Sequence, residues 1–153
     1  MSGYTFDARC DIGRWLIFRV HGETRAQGSK RHVGGGRMIE DSNVMQWREL
    51  IGHVAGKEAE KRDWEPLEGP VALGVTFYQN APKSPKWKTE GVPATGRDLD
   101  KLVRAVGDAL TGILFRDDRQ ICDLKASKRF GSPGATISVF ELLERARPVP
   151  RET

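Results

Sequence analysis

The chain has 153 residues, of which 38% are hydrophobic and 30% are charged, values that are ordinary for one globular domain with its own core. No apolar run is long enough to cross a bilayer, and the first residues lack the basic and apolar regions of a secretory signal, so we expect a cytosolic protein that does not bind membranes. The formal net charge of +4 is compatible with a polyanionic partner but favours one only weakly.

Two cysteines lie far apart in the chain, and neither belongs to a CxxC motif. This spacing argues against a zinc site or a disulfide framework, and in a reducing compartment both Cys10 and Cys122 are expected to be free thiols. Cys122 lies in a run typical of a strand, so we expect it to be buried as a small hydrophobic residue.

The N-terminal part of the sequence predicts an arm, a strand and a basic connection. Residues 1–12 show no period and are expected to form a flexible arm. The run WLIFRV at residues 15–20 predicts a strand. The glycine-rich, basic segment GETRAQGSKRHVGGGR at residues 22–37 predicts a loop or a loose hairpin connection, and residues 37–40 are a candidate returning strand.

The rest of the chain predicts two helices and three further strands. Ser42 or Asn43 can cap the first helix, which should end near Arg62. The later elements are a buried strand, a second helix and two strands joined by a tight turn: Val71 to Tyr78, Asp98 to Leu110, Ile121 to Phe130 and Ala135 to Leu143. This order predicts an α/β fold, a single domain at residues 13–145 with a mixed sheet and two main helices packed on it, followed by a frayed tail at residues 146–153.

The second predicted helix separates an apolar face from a charged one. Its leucines and valines gather on one side of a helical wheel, whereas Asp100, Arg104 and Asp108 gather on the other. Asp98 lies at or just before the first turn, where its carboxylate can lie near that of Asp100. Structural interpretations are also open: an N-cap for Asp98, a helix-dipole acid for Asp100, and a salt-bridged surface for the three charged residues.

Two adjacent acids, Asp117 and Asp118, come just before the next predicted strand. In an ideal strand Asp118 shares a face with Lys128, and a carboxylate at the start of that strand can meet Asp98 and Asp100. Carboxylates that come so close repel one another unless a cation intervenes. Because oxygen ligands suit Mg²⁺ or Mn²⁺ better than zinc, these acids predict a divalent-metal site.

Basic residues near these acids suggest chemistry on phosphate. A metal ion at a basic surface can activate water and stabilise the charge of an in-line phosphoryl displacement. Arg104 and Lys128 are candidates to steady the attacked phosphate as fixed donors. The ordinary alternative for Lys128 is a strand lysine that faces solvent.

The stretch from Asp98 to Lys128 resembles the RusA family of Holliday junction resolvases, which are crossover junction endodeoxyribonucleases, and in particular its phage-type members. The family motif is Asp-x-Asp-Asn-Leu-x-Lys, then Asp-Ala-Leu, then Asp-Asp-x-Gln-Ile/Val, then a lysine on the following strand. The chain follows it in order and spacing with DLDKLVR from Asp98, DAL from Asp108, DDRQI from Asp117, and Lys128.

The resemblance implies a homodimeric, Mg²⁺-dependent endonuclease that resolves four-way DNA junctions by paired nicks, in a bacterial or phage-infected cell. It implies that Asp98, Asp100 and Asp118 are the essential metal-binding acids, and that Asp117 is a neighbouring acid with a smaller role. Lys128 would face the phosphate or assist catalysis.

Two positions depart from the family motif. Lys101 stands where asparagine is most common, and Arg104 stands where lysine is most common. Arginine keeps the charge but is not an equivalent of lysine at a catalytic position. These changes can alter rate or metal preference, but they leave all three essential acids in place.

Two basic segments predict contacts with DNA. One is the glycine-rich connection, and the other is the long segment without a period that joins the strand ending at Tyr78 to the second helix. The basic residues expected to contact backbone phosphates are Lys30, Arg31, Arg37, Lys83, Lys86 and Lys88. Trp87 can stack on an exposed base. Solubility is the alternative explanation for each lysine.

Other functions stay open at this point. One is a broader branched-DNA or flap nuclease on the same scaffold, and another is a non-catalytic DNA-binding protein. A third is a basic α/β protein whose acids only support structure. The intact Asp98, Asp100 and Asp118 argue against a DNA-binding protein that has lost catalysis.

Overall fold

The structure is a computed structural model that describes residues 10–26, 30–33, 37–40, 42–83 and 92–144, with the backbone alone at 30–33, 37–40 and 42. Its helices and strands are β1 (Cys10–His21), β2 (Lys30–Val33), β3 (Arg37–Glu40), α1 (Ser42–Lys61), β4 (Val71–Gln79), α2 (Leu99–Leu110), β5 (Ile121–Phe130) and β6 (Gly134–Glu144). A 3-10 turn, Asp118–Gln120, precedes β5. None of the helices in these ranges has an apolar stretch of the length that would span a membrane.

Four strands form one mixed sheet in the order β1-β6-β4-β5. β4 and β5 are parallel, whereas β6 is antiparallel to both β1 and β4. A parallel pair needs a long crossover connection, and α2 lies in that connection. β2 and β3 form a separate antiparallel hairpin. The predicted α/β fold, with a mixed sheet and two main helices, is confirmed.

The main core lies between one face of this sheet and the two helices. α1 contributes Trp47, Ile51 and Ala55, spaced four residues apart and each at most 3% exposed. α2 contributes Leu102 and Leu110. The strands add alternate residues, which share a face because side chains in a strand point to opposite sides in turn; these are Leu16, Val20, Leu73, Val75, Ile137 and Val139. The apolar face of α2 is therefore buried as predicted, and its charged face is turned outward.

The connection from α2 to β5 folds tightly under the end of the helix. Thr111 Oγ1 donates to the carbonyl oxygen of Gly107 at 2.8 Å, and Gly112 has φ +83°, in the left-handed region that favours glycine. Leu114 and Phe115 are fully buried. This packing turns the chain back toward the helix that it has just left.

β5 consequently runs antiparallel to α2. At the start of the strand, Ile121 lies against the C-terminal half of the helix, since a Cβ on Gly107 would be 3.9 Å from its Cδ1 atom. Near the end of the strand, Lys128 contacts Arg97, which lies two residues before the start of α2. The two ends of β5 therefore lie at opposite ends of the helix.

Three expectations from the sequence need correction. β1 begins at Cys10, because its pairing with β6 extends to that residue, so residues 10–12 belong to the sheet rather than to a flexible arm. Cys122 is exposed rather than buried, because β5 is an edge strand. Asp118 lies in the 3-10 turn, so strand alternation does not place it on the face of Lys128. The rest of the predicted arm and the predicted tail lie outside the described residues.

Candidate active site on helix α2 and strand β5

The N-terminal end of α2 presents two exposed carboxylates. Asp98 is at the N-cap position, but its side chain makes no capping hydrogen bond. That side chain is 66% exposed and lies 3.3 Å from Lys101 Nζ. Asp100, in the first turn, is also exposed, and the positive end of the helix dipole stabilises its charge. The interpretation of Asp98 as a simple side-chain cap is therefore wrong, and both carboxylates can reach an external ligand.

Lys128 is held at this same end of the helix. Its Nζ donates to the carbonyl oxygens of Thr95 at 3.2 Å and Arg97 at 3.1 Å, in the segment that leads into Asp98. The side chain is half-buried, so the alternative interpretation of Lys128 as a strand lysine that faces solvent is wrong. An ammonium group has three N–H donors, which leaves one for an incoming oxygen.

A glycine fixes the segment in front of Asp98. Gly96 has φ +94°, and a Cβ there would lie 3.0 Å from the Oε1 of Gln79. The Nε2 of Gln79 in turn donates to the carbonyl oxygen of Thr95 at 3.5 Å. The end of β4 therefore helps to set the path of the chain that carries the first acid.

Sequence reasoning missed a polar cavity at this end of the sheet. The cavity has a volume of about 180 Å³ and is lined by Glu23, Thr24, Tyr78, Gln79, Asn80, Arg97 and Pro133. The guanidinium of Arg19 stacks on one face of the Tyr78 ring, with its Cζ 4.3 Å from the ring centroid. The available signal was the polar end, Tyr-Gln-Asn, of an otherwise apolar strand.

Arg104 and Asp108 continue along the exposed face of α2. Arg104 makes no hydrogen bond or ion pair within the part of the chain that the structure describes, so its guanidinium is free to bind an anion. Asp108 lies 3.8 Å from Arg48 of α1. Asp108 therefore forms a salt bridge, but with Arg48 of α1 rather than with a residue of α2. Arg104 forms none among the described residues.

Asp117 stabilises the turn in front of β5. It forms a capping box with Gln120, in which its side chain accepts from the Gln120 backbone N–H and its own N–H donates to Gln120 Oε1 at 2.7 Å. Its carboxylate also accepts from the Arg119 N–H at 2.9 Å. The backbone N–H of Arg119, followed by its guanidinium, lowers the pKa of Asp117. The Nε2 of Gln120 also donates to the carbonyl oxygens of Leu67 at 2.7 Å and Gly69 at 2.8 Å, which ties the turn to the segment before β4.

Asp118 is exposed beside the C-terminal half of α2. A Cβ on Gly107 would lie 3.8 Å from the Cβ of Asp118, so the helix approaches the acid closely here. Partial desolvation raises the pKa of Asp118, and the hydrogen bond with Asp117 and the negative charges of Asp117 and Asp108 raise it further. A carboxylate crowded by like charges is the kind that a cation stabilises.

The three essential acids that the motif indicates divide between opposite ends of α2. Gly107, the neighbour of Asp118, follows Asp100 by seven positions, which corresponds to roughly 10 Å along a helix axis. No three His, Cys, Asp or Glu side chains among the described residues are placed to hold a metal ion. The expected meeting of Asp118 with Asp98 and Asp100 does not occur within one chain, because β5 runs antiparallel to α2. A single chain therefore does not fit a three-carboxylate magnesium site.

The structure describes only some of the basic residues that are predicted to contact DNA. Lys83 is exposed just beyond β4. The backbone places Lys30 and Arg31 in β2 and Arg37 in β3, whereas their side chains are not among those described. The predicted DNA-contacting residues outside the described ranges are Lys86, Trp87 and Lys88.

The fold and this surface define a class: an α/β protein that presents carboxylates together with fixed and free basic groups along one helix. The chain matches the family model described as Endodeoxyribonuclease RusA over residues 20–140, a region that includes α2, β5 and all the acids discussed above. It is also similar to the uncharacterized protein YqaN of Bacillus subtilis (strain 168), with 33% identity over 140 residues that cover 83% of this chain and 96% of the relative. The chain belongs to the RusA endodeoxyribonuclease family.

Proposed function

We propose that this protein is an endonuclease that resolves four-way DNA junctions by paired nicks, that it acts as a homodimer, and that it requires Mg²⁺, with Mn²⁺ as a substitute. One observation carries the proposal: within a chain of the RusA family, the motif acids Asp98, Asp100 and Asp118 are all exposed on α2 and the turn beside it. A four-way junction has approximate twofold symmetry, and an isologous dimer offers it two equal sites.

Two basic side chains support action on a phosphodiester. We assign Lys128 and Arg104 to the attacked phosphate, because fixed donors aimed at developing negative charge lower the barrier of such reactions. The two carbonyl contacts of Lys128 hold its ammonium in place before DNA arrives. The guanidinium of Arg104 is free within the described part of the chain, and guanidinium groups bind phosphate oxygens in pairs.

Cleavage of synthetic branched DNA tests the proposal. The substrates are a labelled four-way junction, a three-way junction, a flap and a linear duplex of the same sequence, each with Mg²⁺ or Mn²⁺. We expect paired nicks in the four-way junction only, and a loss of rate of about 10²-fold or more in Asp100→Asn, as for the removal of one electrostatic stabiliser of a transition state.

Asp123→Asn provides the matched control. Asp123 lies on β5 as the register partner of Ala72, which belongs to the apolar cluster on the sheet face away from the helices. This variant should cut the junction at the native rate. Equal cutting of flaps or three-way junctions would replace the resolvase with a broader branched-DNA nuclease. Binding without any cutting in either metal would replace the nuclease with a DNA-binding protein.

A further inference from the structure

The polar cavity lies beyond the carboxyl ends of two strands. β1 ends at His21 and β4 at Gln79, and both run in the same direction because each is antiparallel to β6. The residues that follow these strands line the cavity, Glu23 and Thr24 after β1 and Asn80 after β4. The space beyond the carboxyl ends of strands is where open α/β sheets commonly bind their ligands.

The cavity adjoins the anchored Lys128. The Nε2 of Gln79, which lines the cavity, and the Nζ of Lys128 both donate to the carbonyl oxygen of Thr95, at 3.5 Å and 3.2 Å. Arg97 also lines the cavity and directly precedes Asp98 in the chain. A group bound in the cavity would therefore lie beside the phosphate that we assign to Lys128.

Several polar side chains of the cavity are not used by the fold. Within the part of the chain that the structure describes, the side chains of Thr24, Asn80 and Arg97 have no hydrogen-bond partner or ion pair. Thr24 is only 8% exposed, and a buried hydroxyl without a partner costs free energy unless another group bonds to it. A ligand with donors and acceptors of its own would satisfy these groups.

The aromatic wall of the cavity is fixed before any ligand binds. The guanidinium that stacks on the Tyr78 ring belongs to Arg19, and this guanidinium also donates to the carbonyl oxygen of Ser132 at 2.8 Å. A Cβ on Gly131 would lie 3.0 Å from the Cδ1 of Tyr78, so the chain passes close to the ring at a glycine. A wall that is already ordered adds little entropic cost to binding.

The lining suits a nucleobase better than a phosphate group. The amides of Gln79 and Asn80 offer both donors and acceptors, which is the combination that base edges present. The lining has one cation, Arg97, and one anion, Glu23, so it lacks the excess of positive charge that favours phosphate. The volume of about 180 Å³ is also sufficient, because a cavity of about 150 Å³ can hold a benzene molecule.

We propose that this cavity binds one unstacked nucleobase of the strand that is cut, with Thr24, Asn80 and Arg97 bonded to its polar edge. The cost of unstacking a base is smallest where the base is already unpaired, as at the centre of a branched junction. The bound base positions the strand so that the neighbouring phosphate meets Lys128, and it adds a base contact to a surface that otherwise contacts phosphates. The position in the cut strand rests on the proposed function, whereas the binding of a nucleobase does not.

Single abasic sites identify the base that the cavity binds. Four-way junctions are prepared that each lack one base near the crossover, and their cutting by the native protein is measured with Mg²⁺. We expect the loss of one base beside the cut phosphate to slow cutting about 5- to 150-fold, the range of one pair of hydrogen bonds to a base edge. A native protein that cuts every abasic junction as fast as the intact one overturns the proposal.

Asn80→Ala shows whether that base occupies the cavity. The variant should cut the intact junction more slowly, but it should cut the junction without the base as fast as the native protein does, because both changes remove the same contact. Thr24→Val, which keeps the shape of the side chain, should show the same pattern. Gln46→Ala, which removes an exposed amide of α1, should cut both junctions at the native rates. An Asn80→Ala protein that is slowed equally on both junctions contradicts the proposal.

Direct binding tests the cavity without nuclease activity. The side-chain amide signals of Asn80, identified by their absence in Asn80→Ala, are followed by nuclear magnetic resonance while a short single-stranded oligonucleotide is added with a chelator. We expect these signals to shift with the oligonucleotide, but not with a strand of the same length that has abasic sites throughout. Shifts with both strands would indicate a bound phosphate, and no shift with either would indicate an unused cavity; each result overturns the proposal.

A free deoxynucleoside monophosphate distinguishes the two sources of a nucleobase. At the same concentration it should shift the Asn80 signals less than the oligonucleotide does, because the strand also contacts the basic residues beside the cavity. A larger shift with the free nucleotide would make a soluble nucleotide the occupant and would overturn the assignment to DNA. A protein with the expected shifts that never cuts a junction keeps the cavity as a base-binding site and refutes the proposed function instead.

Discussion

Gln120→Ala removes the side chain that holds the acidic turn in front of β5. In the native chain the amide donates to the carbonyl oxygens of Leu67 and Gly69, and its Oε1 accepts from the Asp117 N–H. The variant loses all three hydrogen bonds at once. Because the same turn carries Asp118, the substitution acts on both the stability and the geometry of the acids.

The expected loss of stability follows from these three hydrogen bonds. Each contributes about 0.5 to 1.5 kcal/mol net, so together they contribute roughly 1.5 to 4.5 kcal/mol. Gln120 is only half-buried, and water can replace part of what is lost. We therefore expect the free energy of unfolding to fall by about 1.5 to 3 kcal/mol, measured by urea denaturation in the presence of a chelator.

Gln46→Ala is the control for this substitution. Gln46 is an exposed residue of α1, and surface changes of this kind usually stay within about 0.5 kcal/mol of the native protein. In junction cleavage Gln120→Ala should be slower than both the native protein and Gln46→Ala at protein concentrations where all three are folded. A free energy of unfolding for Gln120→Ala within about 0.5 kcal/mol of the native value would mean that contacts other than these three hydrogen bonds hold the turn.

Three further predictions concern the acids and the segment that leads to them. The folded-state pKa of Asp118 is raised above its ordinary value of 3.8, so the stability associated with its protonated form is present below that value and is lost as pH rises through the folded-state pKa. Asp118→Asn should therefore be more stable than the native chain at neutral pH in urea denaturation with chelator, and this advantage should vanish below pH 3.8; an advantage independent of pH would contradict the charge origin. Gly96→Ala should lower the free energy of unfolding by about 1 to 3 kcal/mol, because φ is +94° and a Cβ would lie 3.0 Å from Gln79 Oε1, and an unchanged thermal midpoint would rule this strain out. Lys101→Asn removes the ammonium 3.3 Å from Asp98 and should strengthen Mn²⁺ binding about two- to fivefold, the range of an exposed ion pair; a calorimetric titration that shows equal or weaker binding would oppose this.

Local patterns in the sequence were enough to predict the elements that carry the acids. The apolar residues of α2 repeat with the helical period, and Leu102 and Leu110 are buried as this pattern requires. The predicted strand from Ile121 to Phe130 has the bounds observed for β5. These features depend on residues close together in sequence, so a single sequence contains them.

The relation between those elements depends on contacts distant in sequence. Gln120 bonds to Leu67, and Lys128 bonds to Thr95; no local pattern predicts either pair. These contacts set β5 antiparallel to α2 and thereby put Asp118 at the far end of the helix. The motif identified the candidate acids but not the distances between them, because spacing along the chain does not determine distance in space.

The exposure of Cys122 has a similar origin. An apolar run predicts a strand, but whether its side chains are covered depends on the position of that strand in the sheet. β5 is an edge strand in the order β1-β6-β4-β5, and an edge position arises from the whole topology rather than from the run itself. Sequence alone therefore could not distinguish an interior β5 from an edge β5.

Three features along the exposed side of α2 and β5 cost stability in the folded chain. Leu124 exposes half of its area to water, Asp118 lies beside like charges, and Arg104 has no partner within the described residues. Folding of one chain explains none of them, and natural sequences keep such local conflicts mainly where function requires them. A cation held at Asp118 and a phosphate held by Arg104 would relieve the two charged features, as the proposed endonuclease requires.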